Sequence, residues 1–79
     1  MLIRYFAAAR AATGVAEQTL DVPAGATVAT VAELLAARHP ALAPILPRCS
    51  YLVDEIAVRD PSARVSGATL DVLPPFAGG

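Results

Sequence analysis

Residues 27–40 read TVATVAELLAARHP, and this stretch decides the fold class. Val28, Val31, Leu34 and Leu35, followed by the aliphatic stem of Arg38, recur at helical spacing and fall on one face. Thr27 has the side chain of an N-cap, and Pro40 bars continuation because it disfavours helical geometry in His39. The spacing predicts one amphipathic helix over residues 28–39. Such a helix needs an apolar surface to cover.

Working outward, the flanking segments supply strands. Residues 2–6 (LIRYF) are β-prone, with Met1, Ile3 and Tyr5 toward one side and Leu2, Arg4 and Phe6 toward the other. The Ala-rich residues 7–14 end at Gly14 and read as a turn or short helical loop. Residues 17–22 (EQTLDV) alternate, placing Gln18, Leu20 and Val22 on one face before Pro23-Ala24-Gly25 stops the strand. Beyond the helix, Pro44 and Pro47 make residues 40–48 a loop around Leu42, Ile45 and Leu46. Residues 50–53 and 56–59 form a hairpin turning at Asp54-Glu55, and Ser66-Gly67 marks another turn. Residues 69–73 (TLDVL) close the set, with Leu70 and Val72 inward and Asp71 and Leu73 outward. The order β-β-α-β-β-β predicts an α+β fold, one helix packed across one face of a mixed sheet, as in the ubiquitin-like β-grasp. The 79 residues are expected to form a single domain, with residues 74–79 as an extended tail.

Composition narrows the function. Hydrophobic residues make up 56%, but eighteen of them are Ala, so the core is small. Formal net charge is −1, with no basic run and no interleaving of aromatic and basic residues. Nucleic acid is therefore not an expected partner. No apolar stretch approaches the roughly 20 residues that span a bilayer, and no signal peptide is read at the N-terminus. Cys49 is the only cysteine, so no internal disulfide forms, which fits a reducing cytoplasm. Lys is absent, so no lysine amine of this chain can accept an acyl group from its own C-terminus.

Chemistry concentrates after Leu73, where the chain reads PPFAGG. Pro74 and Pro75 have fixed φ and no N–H, so they end the strand and hold the chain extended. Phe76 is a single apolar anchor, and Ala77, Gly78 and Gly79 offer almost no side chain. Such a tail is stiff at its base and thin at its tip, suited to threading a narrow channel toward a reactive centre. At a Gly usage of about 7%, two terminal glycines arise by chance in roughly 0.5% of chains.

Elsewhere the candidates are weaker. His39 sits at a helix C-terminus, where the dipole favours a partly charged imidazole. Cys49 reads as a small hydrophobe at a loop–strand junction, and Asp54 and Glu55 as solvated turn residues. Arg10 reads as a surface cation able to meet a partner's carboxylate. No nucleophile–base pair, metal-ligand spacing or glycine-rich phosphate loop is present, so no cofactor or metal is expected on this chain.

With these features, the whole chain resembles the MoaD family, the small subunits of molybdopterin synthase, and more distantly the thiazole-pathway carrier ThiS. The resemblance is carried by RYFAAARAATG at 4–14, the helix at 27–40, the hairpin at 51–59 and, most specifically, LPPFAGG at 73–79. Two departures stand at turns. Asp54 replaces an Asn common in the family, and Gly67-Ala68-Thr69 stands where Gly-Asp-Glu is frequent.

The resemblance implies a sulfur carrier. An E1-like enzyme of the MoeB kind uses ATP and Mg²⁺ to adenylate the Gly79 carboxylate, and a sulfur donor converts it to a thiocarboxylate. A MoaE-like large subunit then uses that sulfur on a cyclic pterin precursor. Gly79 is the reacting group and Gly78 gives clearance. The ATP and Mg²⁺ sites belong to partners, so the chain is a non-catalytic subunit. Phe6, Leu73, Pro74, Pro75, Phe76 and Ala77 are the expected partner contacts. Two other readings stay open: a carrier of the same chemistry for thiazole, cysteine or another product, and a ubiquitin-like modifier or interaction domain.

Overall fold

The computed structural model describes residues 1–75. Along the chain run β1 (Leu2–Tyr5), α1 (Ala7–Thr13), β2 (Glu17–Thr19), α2 (Val28–Arg38), β3 (Ser50–Val53), β4 (Ile56–Val58) and β5 (Thr69–Leu73). Two 3-10 turns, Pro40–Leu42 and Leu46–Arg48, connect α2 to β3. The five strands form one sheet in the order β2-β1-β5-β3-β4. β1 and β5 are parallel, and the other neighbours are antiparallel. α2 carries the chain from the β2 edge across one face to β3, and β5 returns to the centre. This is the expected α+β, β-grasp arrangement.

Packing follows the sequence periodicities. Ile3 and Tyr5 of β1 and Leu70 and Val72 of β5 turn to one face and are buried with Val28, Val31 and Leu35 of α2. Burying side chains of this kind contributes about 1.5–3 kcal/mol each. Leu20, Leu42, Leu46 and Val65 close the ends of the core, whereas Leu34 is only half-buried. Thr27 caps α2 as expected, its Oγ1 accepting from the Thr30 N–H at 3.2 Å. His39 is the residue at which the helix stops, and its N–H donates to the Leu35 carbonyl.

Element boundaries differ from the sequence expectation, by one residue at the ends of β1 (Tyr5, not Phe6), α2 (Arg38, not His39) and β4 (Val58, not Arg59) and by more elsewhere. Residues 7–13, read as a turn or short helical loop, form a helix, α1, that buries Ala9 and ends in a left-handed Gly14 (φ 78°). β2 stops at Thr19, not Val22, because its ladder ends where Met1 and Leu20 exchange backbone hydrogen bonds. Leu20 still buries without belonging to the strand. The hairpin turns through two left-handed residues, Asp54 (φ 48°) and Glu55 (φ 69°), the geometry of a tight two-residue hairpin loop, and β4 ends at Val58.

Candidate functional site

α2 covers one face of the sheet and leaves the other open. Register places Leu2 and Arg4 of β1, Asp71 and Leu73 of β5, and Leu52 of β3 on that open face. Arg4 and Asp71 are partners across the parallel pair. Their side chains meet as a fork, Arg4 Nε to Asp71 Oδ1 at 2.5 Å and Nη2 to Oδ2 at 2.8 Å. Asp71 is thereby only 4% exposed although its strand parity points outward. Glu55 approaches the same guanidinium at 3.8 Å. The hydrogen bonding that Arg4 donates to Asp71 raises the Arg4 pKa above its ordinary value, against an opposing burial effect, and the Asp71, Glu55 and Glu17 charges add to it. The central charges of the face thus satisfy one another, and the aliphatic residues around them remain for contact.

One end of this face is the base of the tail. Leu73 lies opposite Ser50 and is half-buried. The Tyr5–Val72 register puts Phe6 beside Leu73 at the same end of the neighbouring strand. Phe6 donates its N–H to the Val72 carbonyl at 3.3 Å and remains 40% exposed. The next residue, Ala7, adopts φ 49°, a left-handed geometry that costs a residue with a Cβ roughly 1–2 kcal/mol. That bend starts α1 directly after Phe6. A cleft of about 340 Å³ opens beside the ring, with Arg4, Arg10 and Glu17 in its lining. Pro74 is buried and Pro75 exposed. The structure therefore brings Phe6, Leu73, Pro74 and Pro75 to one end of the sheet. Phe76, Ala77, Gly78 and Gly79 lie outside the described residues.

The remaining polar candidates hold the fold together. Burial raises the Cys49 thiol pKa, and its Sγ faces the Ile45 carbonyl at 3.4 Å, so the group stays a protonated, half-buried thiol. Burial, with a smaller contribution from Cys49, pushes the Tyr51 hydroxyl up to about 12, and it donates to the Leu46 carbonyl. Asp54 is exposed yet committed: its Oδ1 accepts from the Ala68 and Thr69 N–H groups, both at 2.9 Å, and faces the Thr69 hydroxyl at 3.3 Å. Gln18 Oε1 lies 2.5 Å from both the Tyr5 hydroxyl and His39 Nε2. Sequence spacing gave no signal for this cluster; only the inward parity of Gln18 hinted at it. Among the described residues, no group of three or more His, Cys, Asp and Glu side chains is placed to hold a metal ion. No described helix is long and apolar enough to cross a membrane.

Similarity to known proteins bears on this geometry. The ThiS family profile matches residues 3–79, from β1 through the tail. The chain belongs to the ThiS family. Within the curated proteins, this ThiS-family chain is 33% identical over 79 residues to the molybdopterin synthase sulfur carrier subunit of Chlamydomonas reinhardtii, covering 98% of this chain and 95% of that protein. Among solved structures it is similar to SAMP1 from Haloferax volcanii, at 26% identity and a TM-score of 0.80 over 99% of this chain and 97% of the other. The solution structure of the Haloferax volcanii HVO 2177 protein gives 29% identity and a TM-score of 0.82, over 99% of this chain and 84% of the other. Both likenesses extend over the β-grasp sheet and its helices.

Proposed function

We propose that this ThiS-family chain is the sulfur carrier subunit of a molybdopterin synthase. The observation that carries the reading is where the tail begins: β5, the central strand, ends beside Phe6 and runs into Pro74 and Pro75, the first residues of the sequence PPFAGG. The curated relative named as such a carrier supports it across nearly the full length.

The chemistry needs little from this chain beyond a reachable carboxylate. A carboxylate is a poor electrophile because attack on it must expel oxide. In the proposed sequence, a Gly79 carboxylate oxygen attacks the α-phosphate of ATP on an activating enzyme of the MoeB kind, and pyrophosphate leaves. A donor of sulfide-level sulfur then attacks the acyl-adenylate carbonyl, AMP leaves, and the product is a thiocarboxylate. Its soft, nucleophilic sulfur is delivered to a cyclic pterin precursor in a MoaE-like large subunit. ATP and Mg²⁺ are handled by the activating enzyme, and Gly78 gives the tip its clearance. The same reading places the protein in the cytoplasm, where Cys49 stays reduced.

Tail length is the test. Deleting Gly79, or adding one residue after it, displaces the reacting carbonyl by about 3.5 Å, where a misplacement of about 1 Å already costs roughly 100-fold in rate. Both variants are expected to abolish sulfur transfer with unchanged stability. Full transfer by an extended chain shown to be untrimmed overturns the reading.

A second reading is favoured by the likeness to SAMP1, which is described as a small archaeal modifier protein. In it the activated Gly79 carbonyl is transferred to an amine of another protein. Adducts joined by an amide bond distinguish it from the carrier reading.

A further inference from the structure

β2 and β4 are the two edges of the sheet, and they are finished differently. β2 is Glu17, Gln18 and Thr19, a polar strand whose middle side chain is held by Tyr5 and His39. β4 is Ile56, Ala57 and Val58, with no charge and no proline, and Ile56 is 70% exposed. An apolar edge without such protection is a template for another strand.

Its backbone polarity follows from the ladder. The Asp54 N–H donates to the Thr69 carbonyl at 3.0 Å, so Leu52 and Ser50, in alternation with it, also direct their backbone groups to β5. Tyr51 and Val53 then direct theirs to Val58 and Ile56 of β4. Ala57, opposite Leu52, therefore turns both its N–H and its C=O away from the sheet.

We propose that β4 pairs antiparallel with β4 of a second copy of this chain, about a two-fold axis at Ala57. The two Ala57 residues then exchange two backbone hydrogen bonds. Ile56 falls opposite the partner's Val58 on the α2 side, and Val58 opposite the partner's Ile56. Glu55, exposed but 3.8 Å from Arg4 of its own chain, falls opposite the partner's Arg59, and the symmetry repeats that complementary pair. Among the described residues Arg59 forms no ion pair within its own chain. The partner's Ile56 comes to the mouth of a groove of about 760 Å³ between α2 and the β3–β4 edge, whose wall includes Ala29, Ala32, Tyr51 and Val58. A second copy is preferred to an unrelated strand because the edge carries its own complement: opposite charges flank three apolar residues symmetrically about Ala57.

Five facing residues on each side, three of them in β4, make a weak interface, below the size of a stable dimer. β4 stands two strand spacings, about 10 Å, from β5, so pairing leaves both tail bases uncovered. The inference rests on the sheet edge alone and stands or falls independently of the sulfur-carrier reading.

Sedimentation equilibrium of the full chain tests it, over about 10 µM to 1 mM to suit a weak interface. The expected result is a weight-average mass that rises with concentration above the 8.1 kDa of the monomer. Ile56→Asp, at a solvent-exposed position, and Ala57→Pro, which removes an outward N–H and no bond to β3, are each expected to raise the dissociation constant about tenfold or more. Glu55→Arg alone weakens association, and Glu55→Arg combined with Arg59→Glu restores it. Circular dichroism on each variant confirms the fold. A monomer throughout the range, association unchanged by Ile56→Asp, or no restoration in the double variant overturns the proposal.

Discussion

The Asp54 carboxylate occupies the space into which a side chain on Gly67 would project. Asp54 is held there by the bonds that Ala68 and Thr69 donate to its Oδ1. Hairpin turn and pre-β5 turn are thus joined through one side chain, and the two departures from the MoaD pattern, Asp54 and Ala68-Thr69, are hydrogen-bonded to each other. Gly67 is required here for clearance, not for a left-handed backbone.

Replacing Gly67 with Ala is expected to cost about 1–3 kcal/mol of stability, the usual penalty of overpacking, because Asp54 cannot swing aside without losing its bonds. In an Asp54→Ala background the same substitution should cost clearly less, since contacting residues couple. Urea denaturation of the four proteins measures this. Additive losses contradict the contact.

Asp54 also predicts an acid dependence. The Thr69 N–H holds its carboxyl below the ordinary value of 3.8, with the Ala68 N–H and the Thr69 hydroxyl adding to the effect and partial burial opposing it. The folded chain therefore releases this proton more readily than the unfolded chain. Its stabilisation is complete above about pH 4 and is lost as pH falls through the lower folded value. Asp54→Asn keeps the Oδ1 acceptor and removes the titration. Thermal melts between about pH 7 and pH 2 should show a shallower acid loss for this variant; identical acid limbs contradict the assignment.

Gln18→Leu removes the shared acceptor of Tyr5 and His39. Tyr5 is 2% exposed, so its hydroxyl has little access to water, and the expected loss is about 1–3 kcal/mol. Gln18→Glu retains an acceptor and should lose much less. Equal stability of all three proteins in chemical denaturation shows that the cluster contributes nothing.

Much of this architecture was legible from alternation alone. The inward parity of Ile3, Tyr5, Leu70 and Val72, the Thr27 cap and the stop before Pro40 are local properties, and the structure bears them out. What escaped reading depends on contacts between distant residues. Alternation makes Asp71 an outward residue, as it is, but not a buried one; Arg4 comes beside it only because β1 and β5 are parallel neighbours. Asp54 looked like a free turn residue because its partners lie 14 and 15 positions away. The Gln18 cluster likewise joins β1, β2 and the end of α2. For the site, sequence names Phe6 and Leu73 only as partner contacts; their meeting at one end of the sheet follows from the β1–β5 register, and the burial of Pro74 has no signal in the sequence.

The Phe6–Leu73 end of the open face is proposed to dock both the activating enzyme and the large synthase subunit. Exposed apolar surface beside a reactive tail is a common interaction site. Phe6→Asp or Leu73→Asp should weaken each complex by about 2 kcal/mol or more, the scale of an interface hot spot, with little effect on folding. The two partners should also compete. Simultaneous occupancy of one carrier, or unfolding by these substitutions, contradicts a shared docking face.

The central claim is the conversion of the Gly79 carboxylate, and intact mass spectrometry tests it most directly. The full chain is incubated with an activating enzyme of the MoeB kind, ATP, Mg²⁺ and a sulfur donor. The account predicts a mass increase equal to exchange of one oxygen for one sulfur, located at Gly79 by fragmentation and absent when ATP is omitted. An unchanged mass with an enzyme that turns over a known carrier, or a chain recovered only as an amide-linked adduct of another protein, contradicts it.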